Sequence, residues 1–227
     1  MNKVLITCHM STAFCGEPPM LDALVEYQQA AEEGTLNNGL ISKKMKLSEI
    51  ERPESLFAVS DISGFKLAHV SSPILSDVLF SDYVTHAGQV VSAELLSAIN
   101  KKAEKKIPTT KGKYKSYYQK YNIRYVDSIS WFALCDTDRV MALLKKVQGL
   151  GKKRSCGYGQ VKRWSYQENE NDFSFFADGE NGKILMRQVP IGFVDGTVDR
   201  ESYYKGVVSV HPPYWHPETT TLCAIPV

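Results

Sequence analysis

The chain has 227 residues, 43% hydrophobic and 23% charged, so it can bury a large core without disulfides, which excludes a disordered chain. It has an odd number of cysteines (Cys8, Cys15, Cys135, Cys156, Cys223) and no C-x-x-C pair, which excludes zinc-ribbon spacing and points to a reducing, cytoplasmic compartment. A formal net charge of +2 is silent on partners until its distribution is read.

The opening MNKVLITCHMST lacks a long apolar region, so no signal peptide is expected. No stretch reaches the roughly 20 apolar residues of a membrane helix. Lys3–Cys8 is a β-branched apolar run and reads as a first strand. Gly16, Pro18 and Pro19 break it. Leu21, Leu24, Val25 and Gln28 then follow at helical spacing, predicting a helix over Met20–Glu32 that Gly34 ends. Asp22 in its first turn suits the positive end of the helix dipole. Leu56–Ser60 and Phe65–Val70 flank Asp61–Gly64 as a hairpin would.

From Phe80 to Arg124 no clean period exists. Ser92–Lys105 has helical character, and Ile107–Tyr121 reads as an exposed loop. Tyr125–Cys135 reads as one long strand. Asp136 then offers N-cap chemistry to a second helix marked by Val140, Leu143, Leu144 and Val147. Gly149 opens a glycine-rich loop, and Gln160–Tyr166 alternates as a strand leaving it. Glu168–Glu180 is acidic and reads as solvated. Ile191–Val194 and Gly206–Val210 read as strands, and His211–Pro217 is rich in proline and aromatics. The skeleton is α+β, close to the split βαβ, ferredoxin-like (RRM-like) βαββαβ pattern, with an insertion over 80–124 and a C-terminal extension over 167–227 in one domain. Many functions share that pattern, so the fold alone decides nothing.

The sharpest motif is the loop itself. Gly149, Gly151, Gly157 and Gly159 bracket Lys152, Lys153 and Arg154, with Ser155 and Tyr158 between. Free backbone amides beside cations form a phosphate cradle. It is not a Walker A loop, because Gly157 is followed by Tyr158 and the order is helix to strand. Nor is it a dinucleotide fingerprint, because the third glycine is missing.

The segment GLGKKRSCGYGQV resembles the glycine-rich loop of the RAMP superfamily of CRISPR proteins. Two further segments resemble the Cas-five-like subunit of type IV CRISPR effectors: Glu17-Pro18-Pro19-Met20-Leu21-Asp22-Ala23-Leu24, and Pro212-Pro213-Tyr214-Trp215-His216-Pro217. The resemblance implies a non-catalytic crRNA-binding subunit of a CRISPR effector ribonucleoprotein, acting in antiviral or anti-plasmid interference, that grips the five-prime handle of the guide. It also implies contacts with the CRISPR backbone (Cas-seven-like) and large subunits, and a position near the protospacer-adjacent motif of target DNA. No cofactor, metal or membrane is implied.

The insertion occupies the slot of that family's thumb. From Lys101 to Arg124 there are nine cations against Glu104 alone, interleaved later with Tyr114, Tyr117, Tyr118 and Tyr121. Cations neutralise phosphates and tyrosines stack on bases, which makes Lys111, Lys113, Lys115, Tyr117, Tyr118 and Lys120 candidate RNA contacts. Residues 101–163 hold 17 of the 27 Lys and Arg but only four acids, so a near-neutral total hides a polarised molecule.

Some RAMP proteins cleave RNA with a histidine acid or base. His9, at the end of the first strand beside Ser11 and Thr12, is the best candidate for that role or for RNA contact. His69 reads as structural or surface, His211 and His216 as anchors of the proline-rich segment, and His86 lies in the unassigned region. Asp136-x-Asp138 reads as a helix cap, and the Asp195–Asp199 segment as a turn. A metal-independent endoribonuclease that processes precursor crRNA is thus the second expectation. A ferredoxin-like protein-interaction module with an incidental basic loop is the third.

Overall fold

A computed structural model describes residues 1–34, 45–88 and 117–227. In chain order the elements are β1 (Asn2–Met10), β2 (Phe14–Cys15), α1 (Leu21–Glu33), β3 (Val59–Ile62), β4 (Phe65–Ala68) and β5 (Ile74–Leu75). Next come β6 (Val78–Gly88), β7 (Tyr117–Val126), β8 (Ser128–Cys135), α2 (Thr137–Leu144) and β9 (Val161–Glu168). Last are β10 (Phe176–Gly179), β11 (Gly182–Leu185), β12 (Val189–Pro190), β13 (Tyr203–Ser209) and β14 (Thr220–Pro226). The class is α+β, mostly antiparallel sheet. No helix among the described residues is long and apolar enough to cross a membrane.

The central sheet has the order β5-β8-β1-β9, and every neighbour is antiparallel. Alternation sends Val4, Ile6, Cys8 and Met10 of β1 to one face, with Ile129, Trp131, Ala133 and Cys135 of β8. Leu21 and Val25 of α1 and Val140 and Leu144 of α2 join them in one cluster, so both helices cover that face. Each large aliphatic side chain buried there contributes about 1.5–3 kcal/mol relative to exposure. Burial also pushes the Cys8 thiol up to about 12 and the Cys135 thiol to about 11, as expected of inert core cysteines. Gly34 ends α1 in the left-handed conformation, donating its N–H to the Ala30 carbonyl. Asp136 caps α2 by accepting from the Arg139 N–H at 3.2 Å.

Several expectations need correction. The hairpin after α1 forms, with Ser63 and Gly64 at φ 55° and 82° in its turn. It is not the second strand of the central sheet, because β3 and β4 pair with each other and the strand beside β8 is the short β5. Phe57 and Val70, at the hairpin's roots, bridge to Cys135 and Ala133 of β8 and fill the rest of that edge. Tyr125–Cys135 is two strands, parted at the exposed Asp127, where the chain passes from an arm into the sheet.

That arm is the β6–β7 hairpin, paired from Val78↔Val126 out to Gly88↔Tyr117. Tyr117–Tyr121, expected in a loop, is therefore strand. Ser92–Lys105 and residues 107–116 of the expected loop lie outside the described residues.

Glu168–Glu180 is not a solvated tail. Phe173 packs edge-on against Phe132 of the central sheet at 5.2 Å, and Phe175 is buried in a second core. Ile191–Phe193 is a 3-10 turn rather than a strand. The second core gathers Ile62 and Leu67 of the β3–β4 hairpin with Phe175, Leu185, Val210 and Cys223. Around it lie the β10–β11 hairpin and a sheet of order β12-β14-β13.

Arg187 ties this region to α1. Its guanidinium, with no exposed surface, donates to Asp22 Oδ2 at 3.0 Å, Tyr214 Oη at 3.0 Å and the carbonyls of Ala68, Val70 and Val210. The Tyr214 hydroxyl in turn donates to Asp22.

Candidate nucleic-acid interface

The glycine-rich loop runs between α2 and β9. Its neck closes where the Leu150 N–H donates to the Gly159 carbonyl at 2.8 Å and Gly149 bridges Gln160. Leu150 is buried beneath it. Its glycines answer real crowding at two positions. Gly151 has φ +76°, and a Cβ there would meet the Cys15 carbonyl oxygen at 2.6 Å. Gly159 has φ +71°, and a Cβ would meet the Leu150 carbonyl oxygen at 1.9 Å. Lys153, a non-glycine, is held at φ 57°, which costs about 1–2 kcal/mol. It leads into a single 3-10 turn, Arg154–Cys156.

The loop is stitched to the segment after β1. Thr12 Oγ1 donates to the Gly157 carbonyl at 2.9 Å, the Gly159 N–H to the Ala13 carbonyl at 2.8 Å, and the Lys152 N–H to the Cys15 carbonyl at 2.8 Å. β2 is the seam, because the same two residues pair with the arm: Phe14 opposite Arg124 and Cys15 opposite Ile123. Arg124 closes the joint by donating to the Gly16 carbonyl at 3.1 Å and pairing with Glu17 at 2.5 Å. The Cys15 thiol is pushed up by burial, which outweighs the pull of Lys152 and Lys153.

This joint unites what the sequence separates by about thirty residues. Lys153 Nζ lies 4.9 Å and Lys152 Nζ 5.7 Å from the centre of the Tyr121 ring. Farther out, Lys120 Nζ sits 4.0 Å over Tyr83. Such contacts are worth about 0.5–1 kcal/mol at exposed sites, and Lys120 and Lys152 remain exposed while Lys153 is half-buried. On the other side of the loop, a groove of about 660 Å³ is walled by Tyr27 and Gln28 of α1 and by Arg154 and Tyr158.

Of the expected contacts, Gly149, Gly151, Lys152, Lys153, Arg154, Ser155, Gly157, Tyr158 and Gly159 share the loop, with Lys152, Arg154 and Ser155 exposed. Lys120, Tyr117 and Tyr118 lie on β7, with Tyr118 75% exposed near the outer end. Lys111, Lys113 and Lys115 lie outside the described residues. His9 sits on the sheet face opposite the helices, its Nε2 2.9 Å from Ser165 Oγ. Burial, then Arg163 and Lys162, hold its pKa below the ordinary value. Sequence reasoning passed over Tyr121 and Arg124 as individual contacts. Their signal was present, since both fall in the basic stretch, but the pairing of β2 with β7 was not readable. Tyr27 gave no signal beyond its place in a helix.

A second polar cluster lies elsewhere. His69 bonds Ser60 Oγ through Nε2 and Asp172 through Nδ1, both at 2.8 Å. The order matches a hydrolytic triad. Ser60, however, lies within the regular β3–β4 ladder, opposite Leu67, rather than on a sharp turn with amides aimed at it. The cluster is a tie between β4 and the segment after β9. His211 and His216 are buried anchors, as expected, and His216 bonds the Met45 carbonyl at 2.8 Å. Asp195 accepts from the Thr197 N–H and hydroxyl, and Asp199 caps a 3-10 turn, so both side chains serve turns.

No curated protein matches the chain. A family model does match, over residues 76–226, which includes the arm, the central strands β8 and β9, the glycine-rich loop and most of the C-terminal extension. The chain belongs to the family of the CRISPR type IV associated protein Csf3.

Proposed function

We propose that this protein is a non-catalytic guide-RNA-binding subunit of a type IV CRISPR ribonucleoprotein, gripping the five-prime handle of the crRNA. The observation that carries the reading is the seam at β2. It sets the loop cations Lys152 and Lys153 against Tyr121 of the arm, giving one basic, aromatic surface. Loop amides and cations would hold phosphates, and the arm would reach over the strand as a thumb. The sheet order β5-β8-β1-β9, with both helices on one face, supports a ferredoxin-like RAMP domain. Membership of the type IV family supports a place beside the backbone and large subunits, close to where target DNA is opened.

The test is binding of the purified chain to its repeat RNA across a salt series. Affinity should fall with a log–log slope of about 0.7 per phosphate held. Changing Lys152, Lys153 and Arg154 together to alanine should weaken binding at least tenfold and flatten that slope. Wild-type binding that ignores salt would refute the reading.

Metal-independent cleavage has the His9–Ser165 pair in its favour, since burial and the neighbouring cations favour the neutral imidazole, the form a general base needs. Product formed in EDTA by wild type but not by His9→Ala would establish it. We expect neither protein to cut.

A further inference from the structure

β9 begins with an irregularity. Met10 pairs with Val161 and His9 with Arg163, so Lys162 is an extra residue with no partner across the ladder. An extra residue of this kind breaks the alternation of side chains and re-aims them. Lys162 and Arg163 are both exposed, and both act on the His9 imidazole. That imidazole is held by Ser165 on the same strand.

The surroundings are unusual for a sheet. On the face away from the helices, His9 has Arg163 and Ser128 as its cross-strand neighbours, and Thr7 has Ser165 and Ser130. Thr7 and Ser130 share a hydrogen bond of 3.0 Å. On β1, β8 and β9 these two rows carry no apolar side chain, Ile74 of β5 closing the second row at the far edge, whereas the next row, with Phe132, is covered by Phe173. Asp127, next to Ser128, is a carboxylate at this corner. The polar rows have no aromatic ring to stack on a base, but they have cations and donors suited to a phosphate. They also follow directly from the loop: the Gln160 N–H donates to Thr12 Oγ1, and the Ser11 N–H donates to the Gln160 carbonyl, just ahead of Lys162.

We propose that Lys162, Arg163, His9 and Ser165 form a second phosphate-binding site, taking the backbone of a single RNA strand where it leaves the glycine-rich loop for the open sheet face. The inference rests on the reading of that loop as an RNA grip. It assigns the irregularity in β9 a purpose: a regular strand would carry one cation fewer beside His9.

The experiment uses the full chain and its repeat RNA in filter binding across a salt series, with Lys162→Ala/Arg163→Ala beside the loop triple variant. The double variant should bind about tenfold more weakly, and its salt slope should fall by about 0.7 to 1.4, the share of one or two phosphates. The charge-retaining Lys162→Arg/Arg163→Lys should keep the wild-type slope. A scan of single neutral methylphosphonates should find one or two adjacent positions that weaken wild type and leave the double variant unmoved. If the loop triple is weak but the double variant keeps the wild-type slope, the second site is wrong and the loop reading stands. If wild type shows no salt-dependent binding, both fall.

Discussion

Asp22 and Tyr214 lie 192 residues apart yet share the Arg187 guanidinium. The sequence offers a first-turn helix acid and a tyrosine in a proline-rich tail, two segments chosen for their family likeness. Their meeting place is a buried ion pair, and its partner Arg187 carries no sequence signal at all. Removing one member of such a pair strands a charge away from water, at a cost of about 3–5 kcal/mol. We therefore expect Asp22→Asn to lose stability of that order in urea unfolding. Tyr214→Phe, which removes a hydroxyl but leaves the ion pair, should lose about 1–3 kcal/mol. A near-neutral Asp22→Asn would show that this cluster does not hold the extension to α1. The loop glycines were readable as a motif but not as individual constraints. At Gly159 a Cβ would strike backbone, not a flexible side chain, so Gly159→Ala should lower Tm and weaken RNA binding together, while the open position Gly157 should tolerate more.

Among the elements, the helices and β1 were the most legible, because each has one apolar face on the core. The arm was not, and the reason is physical. β6 has no buried position, and only Val84, His86 and Gly88 are even half-buried, so little forces its sequence to alternate. The same blindness hid the edge of the central sheet. β5 contributes only two residues, and hairpin roots complete the edge through single bridges that have no pattern. The acidic segment after β9 was misread because its charges are conspicuous while Phe173 and Phe175, which do the packing, are few. Asp172 in that segment makes a pH-dependent tie. Burial pushes its carboxyl up, but hydrogen bonds from His69 and Ser174 outweigh this and bring the pKa to about 2, from 3.8. A folded value below the unfolded one stabilises fully above about pH 4 and fades as pH falls toward 2. Wild type should therefore lose stability across that window more steeply than Asp172→Asn when Tm is followed against pH. Equal slopes would remove the tie from the account.

Over the molecule as a whole, charge is segregated rather than scarce. The stretch from 101 to 163 supplies most of the cations, and among its described residues Lys120 and Arg124 lie on the arm, Lys152, Lys153 and Arg154 on the loop joined to it, and Lys162 and Arg163 at the start of β9. The sequence made the basic surface legible as composition but could not say that the loop and the arm share a seam at Phe14–Cys15. To test that shared surface, the bound repeat RNA can carry 4-thiouridine at successive positions, with crosslinked peptides identified by mass spectrometry. The account predicts adducts on Tyr121 and within Gly149–Gly159 from neighbouring nucleotides of the handle. Adducts confined to the β10–β14 region, with none on the loop or the arm, would contradict it.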